Sequence, residues 1–319
     1  MKKHILKAVN ILIILVILYL TFTFLAKIFH SLSWEEVKSA VLLIDSKMIT
    51  LVAILTALNY FIVTFYDLIT VKQIKLKIPY KKVFLYSLTS FILNNNLGFG
   101  AIMGGALRFR YLTKIGMSPI LITNYMILFS WIYWLGLIAL SFVVFLFIEP
   151  GYSLSLPFIH FTIQAKLLGL VALIIVLIFF ILSFLKQKKI ISGAILYPIA
   201  KPKILLLQFT ISTLDWLLLG LIFYFLLPNH SIGFFKYLPI YLVSQITAVS
   251  SHVPGGTGVF DGIMIFYLKN YYEVNALVGS LFIFRLVYFL IPLAFGILLF
   301  FFNEFYLSKN NYRIISIEK

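Results

Sequence analysis

Ser250-Ser251-His252-Val253-Pro254-Gly255-Gly256-Thr257-Gly258 cuts through an otherwise apolar stretch, residues 237–268, and residues 83–107 are cut in the same way by Asn94-Asn95-Asn96 and Gly98-Phe99-Gly100. Each stretch leaves room for one short helix on either side of a polar, glycine-rich break. Backbone that has lost its helical partners cannot face lipid, so such breaks persist only where protein covers them or water reaches them. Whether the two stretches cross a membrane or turn back inside it decides the fold.

The membrane follows from composition. Of 319 residues, 62% are hydrophobic and 11% charged, and the mean hydropathy is +1.07. A soluble domain carries about a quarter charged residues. The 26 Lys and Arg against 10 Asp and Glu would point to nucleic acid in a soluble chain. Here they sit in short loops between apolar runs, so they are a topology signal and no nucleic-acid partner is expected. The chain has no Cys, which excludes disulfides, thiolate metal sites and thiol catalysis. Neither a metal nor a cofactor is expected.

A spanning helix needs about 20 apolar residues. Six runs qualify: residues 5–26, 48–71, 120–148, 165–185, 204–227 and 276–302. The first follows Lys2, Lys3 and Lys7. Its length, with no small-residue cleavage site before Lys27, favours a retained helix over a signal peptide. The polar connections 27–47, 149–164 and 186–203 are sized for loops or an interfacial helix, so residues 1–319 read as one transmembrane domain.

Cytoplasmic loops are enriched in Lys and Arg. If both broken stretches turn back, 19 basic residues lie on the cytoplasmic side and 6 on the other, with Arg285 inside the membrane. If both cross, the division is 13 to 12. The sequence therefore predicts an all-α polytopic membrane bundle of six spanning helices and two re-entrant helical hairpins, with both termini cytoplasmic. One hairpin enters from each side, the topology of an inverted repeat, and paired Gly/Pro-broken segments point to a transporter's binding site. At an offset of 156, Gly100, Tyr111 and Leu112 meet Gly256, Tyr267 and Leu268.

Asp215, midway along 204–227, and Arg285, in 276–302, are charges inside apolar runs. Each costs about 2.5–3.5 kcal/mol at a helix centre, so each needs a partner or a cavity. Arg285 suits an anionic group such as a lipid phosphate, and Asp215 a cationic group or a proton; the plainer alternative is that the two pair with each other. Gly255, Gly256 and Gly258 let the second break expose backbone amides to an anion, unless Asp261 caps that end. A tight helix crossing explains the same glycines. Arg108 and Arg110 fit phosphate binding or anchoring at the cytoplasmic surface. Asn94, Asn95 and Asn96 need hydrogen-bond partners or water. Asp67 is expected to pair with Lys72 or its neighbours near a membrane end. His252 suits a proton relay or a plain hydrogen bond. Zinc-protease, nucleophile-elbow and phosphate-loop motifs are absent.

These blocks, in this order, resemble a known family. Gly104-Gly105-Ala106-Leu107-Arg108-Phe109-Arg110-Tyr111, Asp215-Trp216 with Pro228, Val253-Pro254-Gly255-Gly256-Thr257-Gly258-Val259-Phe260-Asp261, and Arg285-Leu286-Val287-Tyr288 with Pro292 are similar to the N-terminal membrane region of bacterial lysylphosphatidylglycerol synthase/flippase, the multiple peptide resistance factor. The similarity covers most of residues 80–302. It implies a flippase-type domain in the bacterial cytoplasmic membrane that moves aminoacylated phosphatidylglycerol between leaflets. Two departures stand out: Asp261 replaces a frequent Glu, and the soluble aminoacyl-transfer domain of full-length members is not expected here, nor is synthase activity.

The expected ligand is therefore a membrane phospholipid held by Asp215, Arg285, Arg108, Arg110, Asn95, His252, Gly255, Gly256, Gly258 and Asp261. A separate aminoacyl-lipid synthase and a second copy of the chain are the candidate protein partners. The rival readings are a membrane-embedded acyl- or aminoacyltransferase using His252 as base, a secondary transporter of a small solute, and a noncatalytic partner of a synthase.

Overall fold

The computed structural model describes residues 44–97, 101–148, 153–156, 159–184, 200–251 and 254–309, together with Glu35, Lys38, Ser39 and Leu42. The chain is an all-α membrane bundle. In order, α1 (Ser46–Gln73) is followed by the pair α2 (Tyr80–Leu97) and α3 (Ala101–Lys114), then α4 (Pro119–Val143), which ends in a π turn at Val144–Ile148. A two-stranded antiparallel hairpin, β1 (Ser153–Leu156) and β2 (Ile159–Gln164), leads into α5 (Ala165–Phe184). Next come α6 (Pro202–Tyr224), the pair α7 (Phe234–Ser251) and α8 (Val259–Leu268), and α9 (Val274–Phe284). The last continues through a second π turn, Arg285–Leu290, into α10 (Ile291–Lys309).

Five of these helices are long and apolar enough to cross a bilayer, in five of the six expected runs. The first run, residues 5–26, lies outside the described residues. Helix starts follow local chemistry. Asp45 accepts from Lys47 N at 2.9 Å ahead of α1. Ser118 caps α4 with Pro119 behind it, and Pro202 opens α6, where a missing N–H costs nothing. The 149–164 connection holds the β-hairpin rather than a plain loop or an interfacial helix. Helix α5 keeps Leu167, Leu170, Ile174, Leu177, Ile181 and Phe184 exposed. In a membrane that is lipid contact.

The first break also differs from expectation. Asn94, Asn95 and Asn96 are helical, inside α2, and Asn96 Nδ2 donates to Ile92 O at 2.8 Å. Bonding of its amide back one turn lets the helix run through a polar triplet. The second break is where its glycines place it: Gly255, Gly256 and Gly258 have φ of 57°, 62° and 82°. A Cβ on Gly256 would also sit 2.8 Å from that of Ala248.

The order spanning helix, helix pair, spanning helix occurs twice. Ser46 and Pro202, Tyr80 and Phe234, Ala101 and Val259, and Pro119 and Val274 open matching elements, at separations of 156, 154, 158 and 155 residues. Contacts between the halves are reciprocal. Tyr60 OH donates to Tyr288 O at 3.0 Å, and Trp216 Nε1, 156 residues after Tyr60, donates to Tyr133 O, 155 residues before Tyr288, at 3.0 Å. Such i-to-j, j-to-i contact is the mark of a two-fold relation.

Candidate functional site

A cavity of about 250 Å³ lies between the halves and is lined by both helix pairs. Arg108 on α3, Asn94 and Asn95 on α2, Asp215 on α6, Gly255 and Gly256 in the second break, and Arg285 all border it. The candidate residues Arg110, Gly258 and Asp261 do not line it, and His252 lies outside the described residues.

Asp215 and Arg285 share this cavity without pairing. Asp215, 5% exposed, accepts from Asn59 Nδ2 at 2.7 Å and from Tyr66 OH at 2.6 Å. Tyr288 OH donates in turn to Asn59 Oδ1 at 2.7 Å. The carboxylate thus ends a chain of neutral groups running Tyr288, Asn59, Asp215, with Tyr66 on its other oxygen.

Arg285 is held by the second break. Its Nη1 donates to Gly255 O at 2.6 Å, and its Nη2 to both Asp261 oxygens at 2.9 Å. The guanidinium carbon lies 5.0 Å from the centre of the Phe289 ring. Asp261 Oδ2 also accepts from Gly258 N at 2.7 Å, so this amide is engaged from within the chain. Among the described residues, Nε and the second Nη1 hydrogen of Arg285 have no hydrogen-bond acceptor.

Arg108 lies inside the protein. It is 1% exposed and bonded in a fork to Asp67, Nε to Oδ1 at 2.9 Å and Nη2 to Oδ2 at 2.8 Å. Its guanidinium carbon sits 3.8 Å from the centre of the Phe129 ring. This also corrects the expectation for Asp67, which is fully buried and pairs with Arg108, not with Lys72. A carboxylate with 0% exposure demands a committed cation, and α3 supplies one where α1 and α2 meet it. Ser87 and Tyr125 also donate to Asp67. Arg110 is likewise buried, with Nη2 at 2.7 Å from Glu304 Oε2, and Lys114 binds the other oxygen of Glu304.

The residues that sequence reasoning missed are Asn59, Tyr66, Tyr288 and Glu304. One carried a usable signal: at the offset of 156, Asn59 meets Asp215, and the two hydrogen-bond across the two-fold. Among the described residues no group of three or more His, Asp or Glu assembles.

The family described as the lysylphosphatidylglycerol synthase TM region matches residues 8–296. Protein slr0712 of Synechocystis is 27% identical over 268 residues, 83% of this chain and 82% of that protein. Inner membrane protein YbhN of Escherichia coli is 27% identical over 273 residues, 83% of each. Phosphatidylglycerol lysyltransferase of Staphylococcus xylosus is 25% identical over 246 residues, 75% of this chain and 27% of that enzyme.

Proposed function

Because the chain belongs to the lysylphosphatidylglycerol synthase transmembrane-region family, we propose that it carries a phospholipid headgroup between leaflets of a bacterial membrane, with an aminoacylated phosphatidylglycerol as the substrate. Its spanning helices and its likeness to an inner membrane protein make it a bacterial membrane protein. In this reading residues 1–319 form one transmembrane domain, both termini are cytoplasmic, and the pairs α2/α3 and α7/α8 are re-entrant hairpins entering from opposite faces.

The observation that carries the reading is the cavity bordered by both pairs, in which two arginines and an acid that lacks a cation among the described residues face one space. The headgroup enters while its acyl tails stay in lipid. Phosphate takes the Nε and Nη1 hydrogens of Arg285 that Asp261 and Gly255 leave free, by charge-assisted hydrogen bonds. Asp215 takes the ammonium. Asn94 and Asn95 give the polar lining that a desolvated headgroup needs. Arg108, already forked to Asp67, keeps that wall positive and rigid.

The test is leaflet exposure of lysyl-phosphatidylglycerol in liposomes holding the purified protein. Asp215→Asn and Arg285→Gln should abolish exposure while the protein still inserts. Wild-type rates in both variants would reject the site.

A second reading rests on the match inside a phosphatidylglycerol lysyltransferase. In it, this chain is a noncatalytic membrane partner of a separate synthase. Co-purification with a soluble aminoacyltransferase, together with no lipid exposure by the purified protein, would favour it.

A further inference from the structure

Among the described residues, three carboxylates are tied to the cavity walls, and one of them, Asp215, has no cation against it. Asp67 is bonded to Arg108 and Asp261 to Arg285. Asp215 accepts only from the neutral Asn59 and Tyr66. Two neutral donors do not balance a buried negative charge, so a closed cavity must hold either a cation beside Asp215 or a proton on it.

Among the described residues, the groups facing this acid leave no other exchangeable charge in view. Helix α1 presents Asn59 and Tyr66, α4 presents Tyr133, and α7 presents Gln245, with Tyr241 OH on the Trp216 carbonyl. The second π turn presents Tyr288 and Arg285, α3 presents Arg108, α9 presents Phe284, and α5 meets α6 through stacked Phe180 and Phe209. Phenols and amides are neutral near pH 7, and both arginines carry their own carboxylates. The equivalent of Asp215 in the first half is Asn59, which takes up no proton. The two touch each other, so they lie on the two-fold relation, where a group stays central whichever half moves.

We infer that Asp215 exchanges one proton for one headgroup ammonium, so that outward movement of an ammonium-bearing lipid is coupled to inward movement of a proton. The inference rests on the lipid-carrying reading above. As the ammonium settles against the carboxylate, the carboxylic O–H breaks and its proton passes to water on the side where the lipid entered. When the ammonium leaves on the other side, Asp215 takes a proton from water there, and one O–H bond is made for each one broken. A headgroup with one phosphate and two ammonium groups carries one net positive charge. Exchange against one proton then moves no net charge, and an inside-negative potential does not oppose it.

The full chain is reconstituted into phosphatidylglycerol vesicles containing trace lysyl-phosphatidylglycerol, with a pH-reporting dye inside and an impermeant amine reagent outside; protein-free vesicles are the control. Electroneutral exchange equates the leaflet ratio of lipid with the proton ratio. An exterior more acidic by one pH unit should therefore enrich lysyl-phosphatidylglycerol in the outer leaflet about tenfold, whichever way the protein inserted. The lumen should gain about one proton per lipid, and inverting the gradient should invert the enrichment. Asp215→Asn should lose both signals and Asp215→Glu should keep them; if the Asn variant does not fold, the wild-type gradient measurement decides alone. If the reagent reaches more lysyl-phosphatidylglycerol than in protein-free vesicles, but to the same extent in both gradients and with no luminal acidification, the exchange is overturned and lipid carriage stands. Access no greater than in protein-free vesicles in either gradient overturns both.

Discussion

Asn59 and Asp215 stand 156 residues apart and hydrogen-bond to each other, Nδ2 to Oδ1 at 2.7 Å, as matching members of two similarly ordered halves. Asn59 Nδ2 also reaches the Asp215 backbone carbonyl at 3.1 Å, and Asn59 Oδ1 accepts from Tyr288. One amide therefore joins α1, α6 and the second π turn. That position suits a residue that fixes how the halves sit together.

Truncating that amide should be expensive for its size. Asn59→Ala leaves Asp215 Oδ1 and Tyr288 OH without partners, and each unmade buried bond costs about 1–3 kcal/mol. The expected result is a clear drop in the thermal midpoint of the detergent-purified protein. Asn59→Asp should do less harm at low pH than at high pH, since it sets two carboxyls side by side and one must then keep a proton. An unchanged midpoint for Asn59→Ala would remove this residue from the contact between halves.

The fork between Arg108 and Asp67 gives a larger effect. Arg108→Gln strands a carboxylate with 0% exposure, and breaking a buried pair from one side costs about 3–5 kcal/mol. Asp67→Asn combined with Arg108→Gln removes both charges and should recover part of the loss. A double variant no more stable than Arg108→Gln alone would show that the charge pair is not what holds α3 to α1. Scanning fluorimetry of wild type, each single variant and the double variant checks it.

The spanning helices were legible because about 30 Å of hydrocarbon imposes a length that loops do not imitate, and the second break because Pro254 and three glycines permit little else. Partners were not legible. Asp67 finds its cation 41 residues away and Asp261 finds Arg285 at 24, each across a helix boundary, while Lys72 is nearer to Asp67 in sequence. Composition says that a buried charge needs a partner; only the way helices approach one another says which. The fork of Arg108 onto Asp67 was lost for the same reason.

Helix α4 approaches α6 closely at Gly136. Its N–H donates to Ser212 Oγ at 2.8 Å, and a Cβ there would fall 2.2 Å from Ser212 atoms, backbone included. Because backbone cannot swing aside as a side-chain tip can, Gly136→Ala should cost about 1–3 kcal/mol, read as a lowered midpoint. Ser212→Ala should also lower the midpoint, by removing the Oγ contacts with Gly136 N, Tyr133 O and Tyr66 OH, but it frees space where Gly136→Ala fills it. Equal stability of Gly136→Ala and wild type would mean that the two helices have freedom to separate.

The re-entrant course proposed for α2/α3 and α7/α8 makes a prediction about sidedness that single cysteines can test, because the natural chain has none. Lys77 and Ser118 flank the first pair, Lys236 and Lys269 the second, and all four are exposed. If each pair turns back, cysteines at 77 and 118 label from one side of the membrane, and cysteines at 236 and 269 label from the other. If a pair crosses, its two flanking sites separate: 77 from 118, or 236 from 269. Each pair is thus tested by itself with an impermeant maleimide on intact cells and on inverted vesicles. The charge division of 19 to 6 requires both pairs to turn back, so separation at either one would remove the opposed hairpins on which a cavity reachable from both leaflets depends.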